Sequence, residues 1–395
     1  MCAQRVIGSE FVEQARQRGL VTLEVLPGDI VTAVAHESAN RLGIKLLDGP
    51  LEKPAVPRTD GNTSARRALY RRSPKWMAPS KLSAKSAQRL VKISIVGAGG
   101  VGSTLAHLAV QANIATEIVL SDIVPGVAEA AALDLNHCNG ITRTRARVVG
   151  TTDLSQIAGS HVVIVTAGRA RTPGMSRTDL VNTNKRVIHS VGEIIKTQAP
   201  NAIVIVITNP LDEMTLEMLR CTGFPRERVM GMAGTLDSSR FKHSLALAAN
   251  VDPGDVSAMA LGNHGDEMVP VTSLATIKGQ ALDKFLSTEA IAECVQDAIT
   301  GGGQVVALKK TGSAIYAPAH SAIELLEHIR GAKTGPVPVS VLLQGEYGIS
   351  DVVLGVPAHI GLGGLLEVEQ LPLSKGELAA LHNAAAAIQT RMVIA

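Results

Sequence analysis

In the run Leu261-Gly-Asn-His264-Gly-Asp266 a histidine sits in a glycine-flanked turn directly after an apolar stretch. An imidazole titrates near neutrality, so it can take a proton and return it. The chain has 11 histidines, and it is the flanking glycines that single out His264. Upstream, Gly234-Thr-Leu-Asp237-Ser-Ser-Arg240-Phe sets Asp237 and Arg240 three apart, which is one face of a helix. Such a pair is most often a surface salt bridge. Beside a proton-transferring histidine, a buried Asp237 would instead fix the imidazole tautomer and stabilise its protonated form.

A second cluster follows the apolar run Val162-Val-Ile-Val-Thr-Ala-Gly168. Arg169, Arg171 and Arg177 fall within nine residues on a stretch that also holds Pro173 and Gly174. The C-terminal ends of strands are where open α/β sheets bind ligands, and guanidinium groups clamp carboxylates with a planar fork. The alternative is a solvated basic loop. Another buried run, Ile203 to Thr208, ends in Asn209-Pro210. Asn209 can offer its amide to a substrate oxygen or a cofactor, and Asn-Pro is equally an ordinary turn signal.

The segment Ile93-Ser-Ile-Val-Gly97-Ala-Gly99-Gly-Val-Gly102 is a G-x-G-x-x-G between an apolar strand and a helix expected over Ser103 to Ala112. Gly97 permits the tight turn, Gly99 lets the backbone approach a pyrophosphate, and Gly102 allows close packing of helix on strand. Twenty residues past Gly102, after the strand-like Glu117–Ser121, comes Asp122, placed to accept hydrogen bonds from ribose hydroxyls. That carboxylate would repel a 2′-phosphate, and the following Ile123 and Val124 bring no cation, so NAD is favoured over NADP. Hydride transfer between an alcohol and a nicotinamide needs a base, a cation for the substrate and a dry site. His264 and the arginine loop supply the first two.

These groups must be positioned by strands and helices that alternate from residue 92 onward. The strand-like runs are Val91–Val96, Glu117–Leu120, His161–Thr166, Ala202–Thr208 and Val229–Gly231, which implies a doubly wound parallel sheet. After about residue 236 the pattern is mixed, with antiparallel strands expected near Val256–Leu261, Val269–Ala275 and Gly355–Leu362. The division expected is an α/β unit over 1–48, a basic proline-rich linker over 49–91, a Rossmann domain over 92–236, and a mixed α/β substrate domain over 237–395. Within the first unit, a helix and a strand are expected over 8–25, a second helix over 29–42 with Ser38 interrupting its apolar face, a stop at Gly43 and a strand at Ile44 to Leu47. No internal repeat is evident.

Taken together, GAGGVG, VTAGRARTPGMSR, ITNPLDEMT, GTLDSSRF, LGNHGDEMVP, KTGSAIYAPA and LQGEYG resemble the lactate/malate dehydrogenase family, especially its lactate-dehydrogenase-like bacterial malate dehydrogenases. The resemblance runs from about Lys92 to near the end, roughly three quarters of the chain. It implies that His264 is the general acid/base and Asp237 its partner. Arg240 would bind the carboxylate beside the reacting carbon, Arg177 would polarise the carbonyl, and Asn209 would contact substrate and cofactor. Asn184 falls where the family contacts the cofactor, its alternative being an exposed helix residue, and Ser313 where it lines the substrate pocket. Arg171 falls at the specificity position, where an arginine implies malate and a glutamine lactate. A second carboxylate buried without a countercharge would cost several kcal/mol. Arg169 and Ala170, Thr172 and Asn263 depart from the usual residues, Asn263 standing where a glycine is common. The expected reaction is the reversible NAD-dependent oxidation of (S)-malate. Lactate or another 2-hydroxy acid is the alternative substrate, and an inactive NAD-binding scaffold is the alternative of another class.

Composition narrows the setting. Hydrophobic residues are 46% and aromatics 2%, so the core is built from Val, Ile, Leu and Ala. Residues 1–92 hold 16 Lys/Arg against 8 Asp/Glu, and the remainder 22 against 27. A mildly acidic body does not suggest nucleic acid, and no apolar run is long enough to span a membrane. Cys2, Cys138, Cys221 and Cys294 form no C-x-x-C pair, which suits a reducing cytoplasm and no metal site. The expected partners are a small dicarboxylate, a second copy or a tetramer of this chain, and a docking partner for the N-terminal extension, for example in a protein-shelled compartment.

Overall fold

The computed structural model describes residues 6–17, 21–25, 29–48, 87–169, 177–310 and 312–394. These fall into two units, one within residues 1–81 and one within 82–395. The expected linker, 49–91, lies outside the described residues as far as 86, while Leu90 and Val91 open a strand of the larger unit.

The small unit consists of two β-α-β halves: β1 (Val6–Ile7), α1 (Ser9–Gln17) and β2 (Thr22–Val25), then β3 (Ile30–Val31), α2 (Ala33–Leu42) and β4 (Lys45–Asp48). β1 pairs in parallel with β3, with Ile7 opposite Val31, and β2 with β4, with Leu23 opposite Leu46. The halves therefore repeat at an interval of about 24 residues, a duplication the sequence pattern did not disclose because β1 and β3 are two residues each. Ile7, Val12, Ala15, Ala35, Ala39 and Ile44 form its core. Thr32 caps α2 through the Ala35 N–H, and Gly43 ends it in the left-handed conformation. Ser38 does not interrupt the helix; it is buried within it.

The large unit begins with six parallel strands: β5 (Leu90–Val96), β6 (Ala115–Ser121), β7 (Arg147–Thr151), β8 (Val162–Val165), β9 (Ile203–Val206) and β10 (Val229–Gly231). Their spatial order is β10-β9-β8-β5-β6-β7. β8 and β9 are wholly aliphatic and buried on both faces, as a sheet covered on two sides requires. The covering helices include α3 (Gly100–Gln111), α4 (Val127–Thr142), α5 (Arg177–Gln198) and α6 (Leu211–Thr222). The strand order reverses between β5 and β8, and a crevice opens at the carboxyl ends of strands at such a switch point.

Beyond α7 (Gly234–Ala249) the chain becomes mixed. β11 (Val256–Ser257), β14 (Thr276–Ile277) and β15 (Gln280–Ala281) make a small antiparallel sheet. The segment expected near Val256–Leu261 is thus divided, and that near Val269–Ala275 is extended strand only to Pro270; β12 (Ala260–Gly262) and β13 (Met268–Pro270) join the main sheet instead. After α8 (Thr288–Lys309) and α9 (Tyr316–Ile329) come β16 (Val337–Gln344), β17 (Ser350–Gly361), β18 (Gly364–Val368) and α10 (Lys375–Ile394). β16 pairs antiparallel to β10 at Gly231 and Ser340, so one continuous sheet runs through both halves. Among the described residues no helix is long and apolar enough to cross a membrane.

α7 is held by its buried stripe. Phe241 is fully buried with Leu245, Val256, Ile277 and Ala298, and Asp237 lies one turn before it on the same face. Phe241→Ala should therefore cost about 3–5 kcal/mol, measured as a lower urea midpoint at unchanged m-value.

Candidate active site

His264 leaves the end of β12, and Asp237 and Arg240 project from the first turns of α7. The Asp237 side chain is 4% exposed and that of His264 16%. The His264 Nδ1–H donates to Asp237 Oδ2 at 2.8 Å. Because the carboxylate can only accept, this bond fixes the proton on Nδ1 and leaves the lone pair of the neutral ring on Nε2. Arg240 Nη1 donates to the other oxygen, Asp237 Oδ1, at 3.1 Å. The pair three apart on α7 is thus not a surface salt bridge. Burial pulls the imidazole toward its neutral form. The Asp237 carboxylate, the hydrogen bond to it and the charge of Asp212 outweigh that pull, and His264 keeps its proton to a higher pH than a free histidine.

Arg240 rests on α8 where the sequence runs Gly301-Gly-Gly303. A Cβ at Gly302 would stand 3.3 Å from Arg240 Nη2 and one at Gly301 3.4 Å from Arg240 Cδ, so two of the three glycines lie where the Arg240 side chain rests on this helix. Sequence reading passed over them, although a glycine triplet inside a helix is a costly choice that signals close approach.

His264, Asn209 and Ser313 line one cavity of about 140 Å³, together with Asn184, Arg169 and Thr208. Asn184 is 1% exposed and is not an exposed helix residue. Its Oδ1 accepts from the Arg169 N–H at 2.7 Å, and its Nδ2 donates to the carbonyls of Arg169 (3.1 Å) and Asn209 (2.6 Å). The amide is therefore engaged by the main chain of two other residues that line the cavity. The Ser313 carbonyl accepts from Lys309 Nζ at 2.9 Å. Arg171 lies outside the described residues, and Arg177 opens α5 with its side chain undescribed.

The glycine-rich turn lies at the switch point. Gly97 has φ +107°, and a Cβ at Gly102 would stand 1.8 Å from the Gly97 carbonyl oxygen. Gly99 is the N-cap of α3 and gives it no side-chain cap, which leaves the helix's first N–H groups for a ligand. A Cβ at Gly99 would meet nothing within 4 Å, so that side of the turn is open. Asp122 Oδ2 accepts from the Ala98 N–H at 2.8 Å and Oδ1 from the Val124 N–H at 3.0 Å. Each oxygen retains acceptor capacity for a diol.

Residues 91–231 match the model of the lactate/malate dehydrogenase NAD binding domain, and residues 234–393 that of the lactate/malate dehydrogenase alpha/beta C-terminal domain. The chain belongs to the lactate/malate dehydrogenase family. A malate dehydrogenase 1 of Anaeromyxobacter dehalogenans is 47% identical over 294 residues, 74% of this chain and 94% of its own length. A malate dehydrogenase of Nostoc punctiforme is 43% identical over 300 residues, covering 76% of this chain and 91% of its own. Among solved structures, Cryptosporidium parvum malate dehydrogenase superposes with a TM-score of 0.74 at 40% identity, over 77% of this chain and 98% of that one. The lactate dehydrogenase of Cryptosporidium parvum, solved with lactic acid and NAD, gives 0.75 at 36%, over 78% of this chain and 98% of its own. Membership of the lactate/malate dehydrogenase family makes the chain an NAD-dependent oxidoreductase.

The residues present fit that cofactor: an open glycine turn, an uncapped helix N-terminus and an acid with spare acceptor capacity, followed by no cation to favour a 2′-phosphate. Gly102→Ala should weaken NADH binding by roughly a hundredfold, about 3 kcal/mol. Fluorescence titration of NADH checks this, with circular dichroism to show that the variant folds.

Proposed function

We propose that this chain catalyses the reversible oxidation of (S)-malate to oxaloacetate. The observation that carries the chemistry is the His264–Asp237–Arg240 chain of contacts, which reaches the wall of one small cavity at His264. The names of the relatives at 43–47% identity favour malate.

Bound NAD supplies the acceptance and return of a hydride. The rest falls to the protein. Arg240 clamps the carboxylate next to the reacting carbon, Arg171 neutralises the far carboxylate, and Arg177 polarises the carbonyl oxygen. Asn209 and Ser313 orient the substrate, Asn184 contributes to the cofactor side through the main chain it holds, and Gly97, Gly99, Gly102 and Asp122 bind the dinucleotide. His264 takes the hydroxyl proton on Nε2 as the alcohol is oxidised and returns it in reduction. The imidazolium so formed is met by Asp237, and exclusion of water strengthens each of these charge contacts.

In this reading the division into a Rossmann domain over 92–236 and a substrate domain over 237–395 places the cofactor on the first and the proton shuttle on the second. The enzyme works as a homodimer or homotetramer in the cytoplasm. The N-terminal unit is a docking or address module on a basic tether; its separate small core supports this, and an unchanged distribution in the cell after deletion of residues 1–88 would remove the idea.

His264→Ala should lower turnover by roughly 10²–10⁴-fold while NADH still binds. Arg171→Gln should cost about 3 kcal/mol in kcat/KM for oxaloacetate, roughly a hundredfold, and raise activity on pyruvate. Side-by-side rates with the two keto acids measure this. Because lactate dehydrogenases are also structural neighbours, an oxaloacetate preference that survives Arg171→Gln would overturn Arg171 as the selector.

A further inference from the structure

Two consecutive carboxylates, Asp212 and Glu213, occupy the first turn of α6 at 1% and 2% exposure. Glu213 has a cation: Arg391 of α10 donates to it through Nε at 2.9 Å and through Nη1 to Glu267 at 3.0 Å. Among the described residues no lysine or arginine pairs with Asp212. It is met by three neutral donors, Ser340 Oγ on Oδ1 at 2.7 Å and, on Oδ2, Asn263 Nδ2 at 2.8 Å and the His264 main-chain N–H at 2.9 Å. His264 is therefore gripped at two points, the ring by Asp237 and the backbone by Asp212.

We propose that Asp212 is a positioning residue for His264, holding its main chain in place and supplying the second negative charge that the imidazolium meets. The proposal rests on the reading of His264 as the acid/base. A ring fixed at its backbone and at Nδ1 keeps Nε2 aimed into the cavity, and rigid support of this kind sets the accuracy of a site. The grip needs only an acceptor; the negative charge is the part an amide could not supply. Burial pushes the Asp212 carboxyl up to about 6, against the His264 N–H and Ser340 hydroxyl that favour its charged form, so it is ionised through the alkaline half of the working range. Asn263 is recruited to the same end. Its Nδ2 serves Asp212 while its buried Oδ1 has no partner among the described residues, an arrangement usually avoided.

Among the described residues, the charged groups around the pair are Asp237 and Arg240 on α7, Glu213 on α6, Glu267 in the turn after His264, Arg391 on α10 and Arg169, which lines the same cavity. Arg391 is shared between Glu213 and Glu267, and Arg240 opposes protonation of the ring. The charge of Asp212 favours the protonated ring. Removing it lowers the pH at which His264 loses its proton. Malate oxidation needs the neutral ring and rises through that pH; oxaloacetate reduction needs the protonated ring and falls through it. Both limbs must move to lower pH.

Asp212→Asn tests this, because its amide oxygen can replace Oδ2 and its NH2 can donate to Ser340 Oγ, so the shape and the hydrogen bonds survive and only the charge goes. The ring of His264 is titrated by NMR in the full chain with ring-labelled histidine and no cofactor, its signal identified by loss in His264→Gln. In parallel, kcat/KM for malate is followed against pH. The expected result is a ring titration and a rate limb both displaced to lower pH. A displaced ring with an unmoved limb supports the role of Asp212 and removes His264 as the group the limb reports. A ring titration unchanged in Asp212→Asn overturns the proposal, whatever happens to kcat, since a merely structural role lowers turnover without moving it. Should Asp212→Asn fail to fold, Asn263→Ala takes its place: loss of one donor weakens the ionised carboxylate, and the ring must again titrate lower, by less. No displacement overturns the proposal there too.

Discussion

The imidazole of His264 and the carboxylate of Asp237 meet at 2.8 Å with little water around either, and the rest of the large unit is arranged to permit it. Two ionisable groups in a dry site are tolerated only when their geometry is held tightly enough for the attraction to offset lost hydration. The Ser238 hydroxyl accepts the Ala260 N–H at 2.9 Å, tying α7 to the strand from which His264 departs. Phe241 and Leu245 anchor the other side of the same helix. Arg240 closes the arrangement by balancing the second oxygen of Asp237, so no oxygen of that carboxylate is left without a donor.

The continuous sheet makes this local demand a property of the whole unit. Gly231 of β10 and Ser340 of β16 are the register partners that join the parallel half to the antiparallel half. Ser340 is also the residue whose hydroxyl reaches Asp212. The first turn of α6 thus touches three things at once: Asn209 at its entrance, the seam of the sheet through Ser340, and the His264 turn through the main chain. Displacement of the two halves at the seam would move His264 and Asn209 together.

The sequence disclosed what is periodic or punctuated. β-Branched runs located five of the six parallel strands within a residue or two, and glycines at fixed intervals located the tight turn between β5 and α3, because both signals are local. The pairing of His264 with Asp237 was legible through the glycine-flanked turn and the face shared with Arg240, although the two are 27 positions apart. What stayed hidden depends on long-range closure. Asp212 reads in the sequence as an acid at a helix N-terminus, a solvent-facing place for such a residue, and only the convergence on it of the turn after β12 and of Ser340 from β16 reveals that it is dry. Gly301 and Gly302 carry no meaning until Arg240 is known to lie across them. β7 and β16 were passed over, and two-residue strands such as β1 and β3 have too little pattern to announce the duplication they belong to.

Asp212 also shows how far this site departs from what stability alone would favour. A carboxyl moved from 3.8 to about 6 binds more protons in the folded chain than in the unfolded one between those values. Stability is therefore lost as pH rises through that window, by an amount on the order of 3 kcal/mol above it. Three neutral donors without a cation do not cancel that cost, although Arg391 stands close enough to serve the adjacent Glu213. An amide would keep the hydrogen bonds and avoid the penalty. A charge that the fold could dispense with, placed against the main chain of the residue proposed to carry a proton, is accounted for by the imidazolium that His264 would become in that role. The stability given up at Asp212 is the counterpart of the firmer hold on that proton at His264.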